Sequence, residues 1–417
     1  MEASRILWNE TGKNQERRGE PSMAAERYRE LLSSVKEEEV VDLCSELVRF
    51  KSVNPPGDEL EIARYVAGIL QEAGFTVEVV THSPTRGSVI GRLKGSGEMQ
   101  PILYSGHLDV VPEGGEEWLC DPFGGELSDG KVWGRGASDM KGGDAAIIIA
   151  AKILAAARLP LKGDLILAFT AGEETDALGA HEIVQQYDLG PLQGIFIAEP
   201  SDNEVYIAER GALWLEITTY GKTAHISRIN EGRNALMMML PILTALDQLI
   251  VPYNEHALLG HFARSINTIH AGIKTNTIPD RCVATVDQRT VPGQDHDIIV
   301  REVEKLISEV GTRTALRDFR ATVRVTNNRQ PLETSPEEPI VQKLYGIANE
   351  VTGRWPEPKG VGYYTDAVEF VPALKAPFVI CGPGNPRLNH QTNEWVETAK
   401  LVEAVKIYIL TAIEFLT

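Results

Sequence analysis

Ile102-Leu103-Tyr104-Ser105-Gly106-His107-Leu108-Asp109-Val110-Val111-Pro112 joins a short apolar run to two side chains of cation-binding type. Residues 102–105 have the length and apolarity of a buried strand, and His107 and Asp109 fall just past its end. Similar runs recur on both sides. Upstream, 76–80 and 88–93 read as strands, after amphipathic helical segments at 37–50 and 59–73. Downstream, a buried helix at 145–157 precedes strands at 165–170 and 195–198. This alternation of strand and helix predicts an α/β domain on a mostly parallel sheet.

The rhythm changes near Arg210. A strand at 213–220, a helix at 233–250, strands at 265–273 and 281–289, a helix at 297–310 and a strand at 319–325 follow in order. That β-α-β-β-α-β succession is the split pattern of a ferredoxin-like unit. After Thr326 the α/β character resumes, with a helix at 339–352, a strand at 378–381 and a last helix at 398–416. The expected organisation is a flexible tail over 1–22, a catalytic α/β domain made of 23–210 and 326–417, and an inserted unit over 211–325.

The chain has 417 residues, and 41 basic against 59 acidic side chains give a net charge of −18. That balance argues against nucleic acid as a partner, because neutralising phosphates needs clustered Lys and Arg. The unbroken apolar stretch 145–151 ends at Lys152, far short of the roughly 18–20 residues that span a bilayer. The first 22 residues are polar and mixed in charge, without the apolar segment of a secretory signal. Cys44, Cys120, Cys282 and Cys381 are far apart, so neither a disulfide framework nor a Cys-type zinc site is expected. The composition predicts a cytoplasmic protein with no membrane partner.

Several ligand-type residues fall just after expected strands. His107 and Asp109 follow 102–105, Glu173 and Glu174 follow 165–170, Glu199 follows 195–198, and His390 lies in the loop beyond 378–381. Open α/β sheets bind ligands outside the carboxyl ends of their strands, so these groups would converge on one edge. Asp139 sits in the glycine-rich stretch 134–143 that leads into the Ala-rich helix. Two His and three or four carboxylates suit zinc, or manganese and cobalt in a harder site. A shared carboxylate would give a two-metal site that activates water and polarises a carbonyl. His107 and Asp109, two apart, would share a side of extended backbone, with Asp109 holding the second ring nitrogen of His107. Glu173 and Glu174 would divide into one ligand and one general base, in an order that spacing leaves open. Taken singly, a His-x-Asp is more often a cap or a core histidine, and an adjacent Glu pair is usually a solvated helix start. The joint pattern at strand ends raises the metal reading above its parts.

Ser105–Pro112, Trp118–Phe123 (W-L-C-D-P-F), Gly134–Gly143, Ala171-Gly172-Glu173-Glu174, Glu199-Pro200, and Gly382-Pro383-Gly384 with His390 and Glu394 together resemble one family. It is the acetylornithine deacetylase, succinyl-diaminopimelate desuccinylase, aminoacylase and glutamate carboxypeptidase family of dizinc hydrolases. The resemblance covers nearly everything from about residue 37 onward, in the right order. It implies that Asp139 bridges two metals, with His107 and Glu199 completing one and Glu174 and His390 the other. Glu173 would be the general base and Asp109 the partner of His107. The inserted unit would be a lid that also makes a homodimer, and His225 of Gly221–His225 would reach a neighbouring subunit's site to stabilise the oxyanion. Asn276 and Arg289 would hold a substrate carboxylate, and Thr365 would lie on a substrate-side loop. Many relatives carry two or three glycines before that Thr, where this chain has Tyr363-Tyr364.

The expected activity is metal-dependent hydrolysis of a small amide, by Glu173 acting on a water between the metals. An N-acyl amino acid or a related carboxylate-bearing amide is the expected substrate. Rivals are a dipeptidase or carboxypeptidase with the same metals, removal of an amine or formyl group from a ring compound, and a non-catalytic binding module. Loss of Glu173 or Asp139 would mark the binding module, and both are present.

Overall fold

Four parallel strands form the middle of a nine-stranded sheet, in the spatial order Leu165–Thr170, Ile102–His107, Gly194–Ile197 and Phe378–Ile380. Every residue of the four is buried, as expected where both faces of a parallel sheet are covered. Antiparallel strands extend the sheet, Gly87–Leu93 and Thr76–Thr81 on one side, Tyr206–Glu209 and Leu332–Glu333 on the other. The computed structural model describes residues 23–417, so the expected tail over 1–22 lies outside the described residues.

One face of the sheet packs against Glu37–Arg49, Leu60–Glu72, Gly142–Ala157, Pro339–Thr352 and Thr398–Leu416, and the other against Leu178–Gln186 and Ala367–Leu374. Residues 145–151 are all at most 2% exposed, so this part of their helix is apolar all round because it lies inside, and the helix first meets solvent at Lys152. Its first turn meets the end of Ile102–His107 closely. A Cβ on Gly106 would sit 2.0 Å from Asp144 Oδ1, so glycine is what this approach admits.

From Ile102–His107 the chain moves to one neighbour, Leu165–Thr170, and then crosses to the opposite neighbour, Gly194–Ile197. The loops leaving these strands therefore diverge, and a crevice opens between them at the carboxyl edge.

A separate antiparallel sheet has the order Ala263–Ala271, Arg281–Thr290, Gly211–Tyr220, Ala321–Arg329. Counted along the chain this is second, third, first and fourth strand, with helices Ala235–Asp247 and His296–Arg313 on one face. Leu213, Leu215 and Ile217 point into that core, which turns Trp214 to the opposite face. Trp214 is paired across with Asp287 and Asn327, so these three and Arg289 share that face.

The expected strands and long helices are present, most with ends shifted by a few residues. Asn234 accepts the Met237 amide at 3.2 Å, which starts its helix at Ala235 rather than 233. The last strand of the antiparallel sheet continues to Arg329, past Thr326. Sequence reading missed the helices Leu178–Gln186 and Ala367–Leu374, which are too short to show helical periodicity clearly. Among the described residues, no helix is long and apolar enough to cross a membrane.

Candidate metal centre and cleft

The loops at the carboxyl edge bring His107, Asp139, Glu173, Glu174, Glu199 and His390 together. Donor atoms of His107, Glu173 and Glu199 lie within 4.8 Å of one another, as do those of His107, Asp139 and Glu174. His107 Nε2 is 3.2 Å from Asp139 Oδ1 and 3.5 Å from Glu199 Oε1. His390 Nε2 is 2.9 Å from Glu174 Oε2 and 3.6 Å from Asp139 Oδ2. The two oxygens of Asp139 thus face one imidazole each. Glu173 Oε2 lies 4.0 Å from His107 Nε2 and faces the same cleft.

His107 Nδ1 donates to the main-chain oxygen of Asp109 at 3.0 Å. A carbonyl can only accept, so Nδ1 carries a proton, and it is Nε2 that faces the carboxylates and would give its lone pair to a cation once its own proton is displaced. This corrects the expected outer-shell geometry, because the Asp109 carboxylate is farther from that nitrogen, at 3.6 Å. That carboxylate instead accepts the amides of Gly172, Glu173 and Glu174 at 3.0, 3.2 and 3.2 Å, and Asn54 Nδ2 at 2.9 Å. Asp109 fixes the turn that presents both glutamates.

Glu394 does the same for the glycine-rich loop. It is fully buried, accepts the amides of Gly136, Ser138 and Asp139 at 3.0, 2.8 and 2.9 Å, and pairs with Arg135 Nη1 at 2.6 Å. Gly136 needs its positive φ of 86°, and a Cβ there would lie 2.5 Å from Val110. Glu394 was visible in the sequence only as a motif member. Its role as an anchor required the loop's amides to be seen converging on it.

Burial, then the charge of Glu199, pushes Glu173 well above the usual carboxylate range; burial, then Asp139, does the same to Glu199. Burial alone would lower His107, but its hydrogen bond to Asp139 and the charges of Glu199 and Glu173 raise it well above 6.5. Two imidazoles among buried carboxylates that raise one another's proton affinity form a donor set that fits divalent cations.

This has a pH consequence for metal-free protein. Burial raises Glu394 to about 7 and Asp366 to about 6, alongside Glu173 and Glu199. These groups bind protons more tightly folded than unfolded, so their stabilisation is full at low pH and is lost as pH rises from the ordinary carboxylate range through about 7. His107, also raised, contributes below about 6.5 and loses that contribution as pH rises through its higher folded value. Chelator-treated protein should therefore melt lower at about pH 8 than at about pH 5.5, by on the order of 5 °C in Tm. Added divalent metal, which competes with these protons, should remove that fall. A metal-free Tm that rises across this interval would refute the coupling.

The remaining expected site residues separate into two places. Arg289 lines the cleft with Asp139, Glu173, Glu174, Glu199, Trp214, Tyr363, Tyr364, Asn389 and His390. Its Nε donates to Asp287 at 3.1 Å. His225 and Asn276 meet each other at 3.3 Å on the exposed part of the antiparallel unit and do not line this chain's cleft. Thr365 differs from the expected substrate-side position. It is 1% exposed and donates to Glu209 at 2.8 Å, because its loop turns Tyr363 and Tyr364 to the cleft and Thr365 inward. Trp214 and Asn389 were not foreseen; a Trp among alternating strand residues tells which face it is on, but not what that face covers.

A fully buried parallel sheet with this donor set at its carboxyl edge is the frame of a metallohydrolase. Residues 103–414 match the profile of peptidase family M20/M25/M40, and the chain belongs to that family of metal-dependent peptidases and amidohydrolases. It is 26% identical over 406 residues to a probable succinyl-diaminopimelate desuccinylase of Staphylococcus epidermidis, covering 90% of this chain and 98% of that one. It is 28% identical over 402 residues to the N-formyl-4-amino-5-aminomethyl-2-methylpyrimidine deformylase of Bacillus subtilis, covering 89% and 93%. Its fold is similar to that of the M20 family metallo-carboxypeptidase Sso-CP2 from Sulfolobus solfataricus, with a TM-score of 0.75 at 20% identity, covering 90% and 98%.

Proposed function

We propose that the protein hydrolyses the amide bond of a small N-acyl amino acid or a related carboxylate-bearing amide. The observation that carries this reading is the divided carboxylate of Asp139, one oxygen toward each imidazole, with Glu173 beside it. Two divalent cations, zinc before cobalt or manganese, would be held by His107, Glu199 and Asp139 on one side and Glu174, His390 and Asp139 on the other, and would supply the charge that activates water and polarises the carbonyl. Glu173 takes the proton of the attacking water and returns it to the leaving amine. Its raised proton affinity suits a group that must hold that proton between the two steps. Asp109 keeps the Glu173–Glu174 turn and the His107 tautomer in place. Arg289 offers its guanidinium to the substrate carboxylate.

In this reading residues 23–210 and 326–417 are the catalytic domain, and 211–325 is a lid that also pairs two subunits. Exposed Ile269 and Ile273 on and beside the edge strand, with Met237 and Leu240, support a homodimer through that unit. His225, with Asn276 beside it, then serves the partner's oxyanion. An Ile269→Glu variant that sediments as a monomer should keep two metals per chain and lose roughly 10²-fold or more in kcat. A fully active monomer would refute the role of His225.

A second reading is removal of a formyl group from a ring compound, supported by the pyrimidine deformylase relative and by Tyr363-Tyr364. The test is turnover of N-acyl amino acids, dipeptides and N-formyl aminomethyl rings by protein stripped of metal and reloaded with zinc, cobalt or manganese. Metal-dependent cleavage of acyl amino acids supports the first reading; a strict need for a free α-amino group would replace it with a dipeptidase, and cleavage of formyl compounds alone with a deformylase.

A further inference from the structure

We infer that the cleft contains a slot for one planar ring beside the scissile amide, with Trp214 as one wall and Tyr363-Tyr364 as the other. The inference takes from the amidohydrolase reading only the position of the reacting bond at the acidic end.

The cleft has a volume of about 340 Å³ and is lined by Asp139, Glu173, Glu174, Glu199 and His390 together with the three aromatic residues. That is near the lower limit for small-molecule pockets, room for one ring and one amide rather than a peptide of several residues. Trp214 is 36% exposed although its strand neighbours Leu213 and Leu215 are fully buried. Strand alternation puts its indole on the face that carries Arg289, away from the helices, so its apolar surface is turned to the cleft.

The opposite wall is braced. The Tyr363 hydroxyl donates to the main-chain oxygen of Pro200 at 3.3 Å, next to Glu199. The guanidinium of Arg329 lies 6.0 Å from the centroid of the Tyr364 ring. Arg329 is itself held by Glu369 and by the main-chain oxygen of Asp176. Among the described residues, Trp214 makes no ring contact with either tyrosine, although all three line the same cavity. Trp214 comes from the antiparallel sheet and the tyrosines from the loop before Ala367–Leu374, and aromatic side chains that line one cavity without stacking on each other leave faces for a ligand. A flat aromatic group stacks on such faces, for roughly three- to tenfold in affinity per face, where a flexible alkyl chain of equal size has only its area to bury.

The test uses matched pairs with zinc-loaded protein: N-phenylacetylglycine against N-hexanoylglycine, and N-acetylphenylalanine against N-acetylnorleucine. The ring member of at least one pair should be preferred by roughly tenfold in kcat/KM. Trp214→Leu and, independently, Tyr364→Leu should bring that ratio down toward one. Binding of the same compounds to Glu173→Gln protein, by calorimetry, reads the slot without chemistry. Turnover without ring preference, or a preference that both variants retain, overturns the slot and leaves the hydrolase reading standing. Ring-selective binding with no turnover by the parent protein upholds the slot and sinks the N-acyl amino acid reading. Equal or absent binding of both members of each pair overturns the slot.

Discussion

Glu173→Gln protein should hold two metals per chain and hydrolyse its substrate roughly 10²- to 10⁴-fold more slowly in kcat. The substitution keeps the shape of the side chain and removes the carboxylate that accepts the proton. Glu173 is set apart from its neighbour by surroundings rather than by sequence. Glu174 lies 2.9 Å from His390, while Glu173 faces His107 at the longer distance of 4.0 Å. The shorter contact marks Glu174 as the side chain paired with an imidazole and leaves Glu173 free to handle a proton. The reverse assignment makes the opposite prediction, that Glu174→Gln spares metal binding and Glu173→Gln removes a metal. Metal analysis of the two variants beside their turnover decides between them. A Glu173→Gln protein with near-normal kcat would end the general-base assignment.

Asp139→Asn should abolish turnover and lower metal content from two per chain to one or fewer at equal free metal. Both oxygens of Asp139 are committed, one 3.2 Å from His107 and one 3.6 Å from His390. An amide nitrogen in place of either oxygen presents hydrogens where a cation needs a lone pair. Even outer-shell partners of metal ligands change affinity by about 10- to 100-fold, so loss of a shared ligand should exceed that. Because Glu394 grips the main-chain amides of the loop, the Asn variant should fold normally, as an unchanged far-ultraviolet spectrum would confirm. Retention of two tightly bound metals in the folded variant would refute the shared-ligand role.

Much of this arrangement is legible before folding. Fully buried parallel strands read as continuous apolar runs, and the groups that follow them must gather at one edge, which is how His107, Glu173, Glu174, Glu199 and His390 could be assembled on paper. The ferredoxin-like order of the antiparallel unit was legible for a related reason: its strands alternate with a period of two, and its helices are long enough to show their own. Short elements were not legible, since the eight residues of Ala367–Leu374 and the four of Tyr206–Glu209 barely complete a pattern. The inward turn of Thr365 was not legible either, because a loop's side-chain directions depend on what the surrounding sheet leaves open.

The sequence by itself determined the α/β class, the antiparallel insertion, the donor types and the edge on which they meet, because periodicity and residue chemistry are local properties that folding preserves. Only the tertiary structure decided which partner each donor faces. It divided Asp139 between His107 and His390, gave the second nitrogen of His107 to a main-chain oxygen, made Asp109 and Glu394 anchors of loops, and brought Trp214 into one cleft with Tyr363 and Tyr364. Apart from the His107–Asp109 contact, these relations join residues tens to hundreds apart along the chain. Angstrom-scale distances between them come from packed backbones, which hold loops of unrelated sequence in one place.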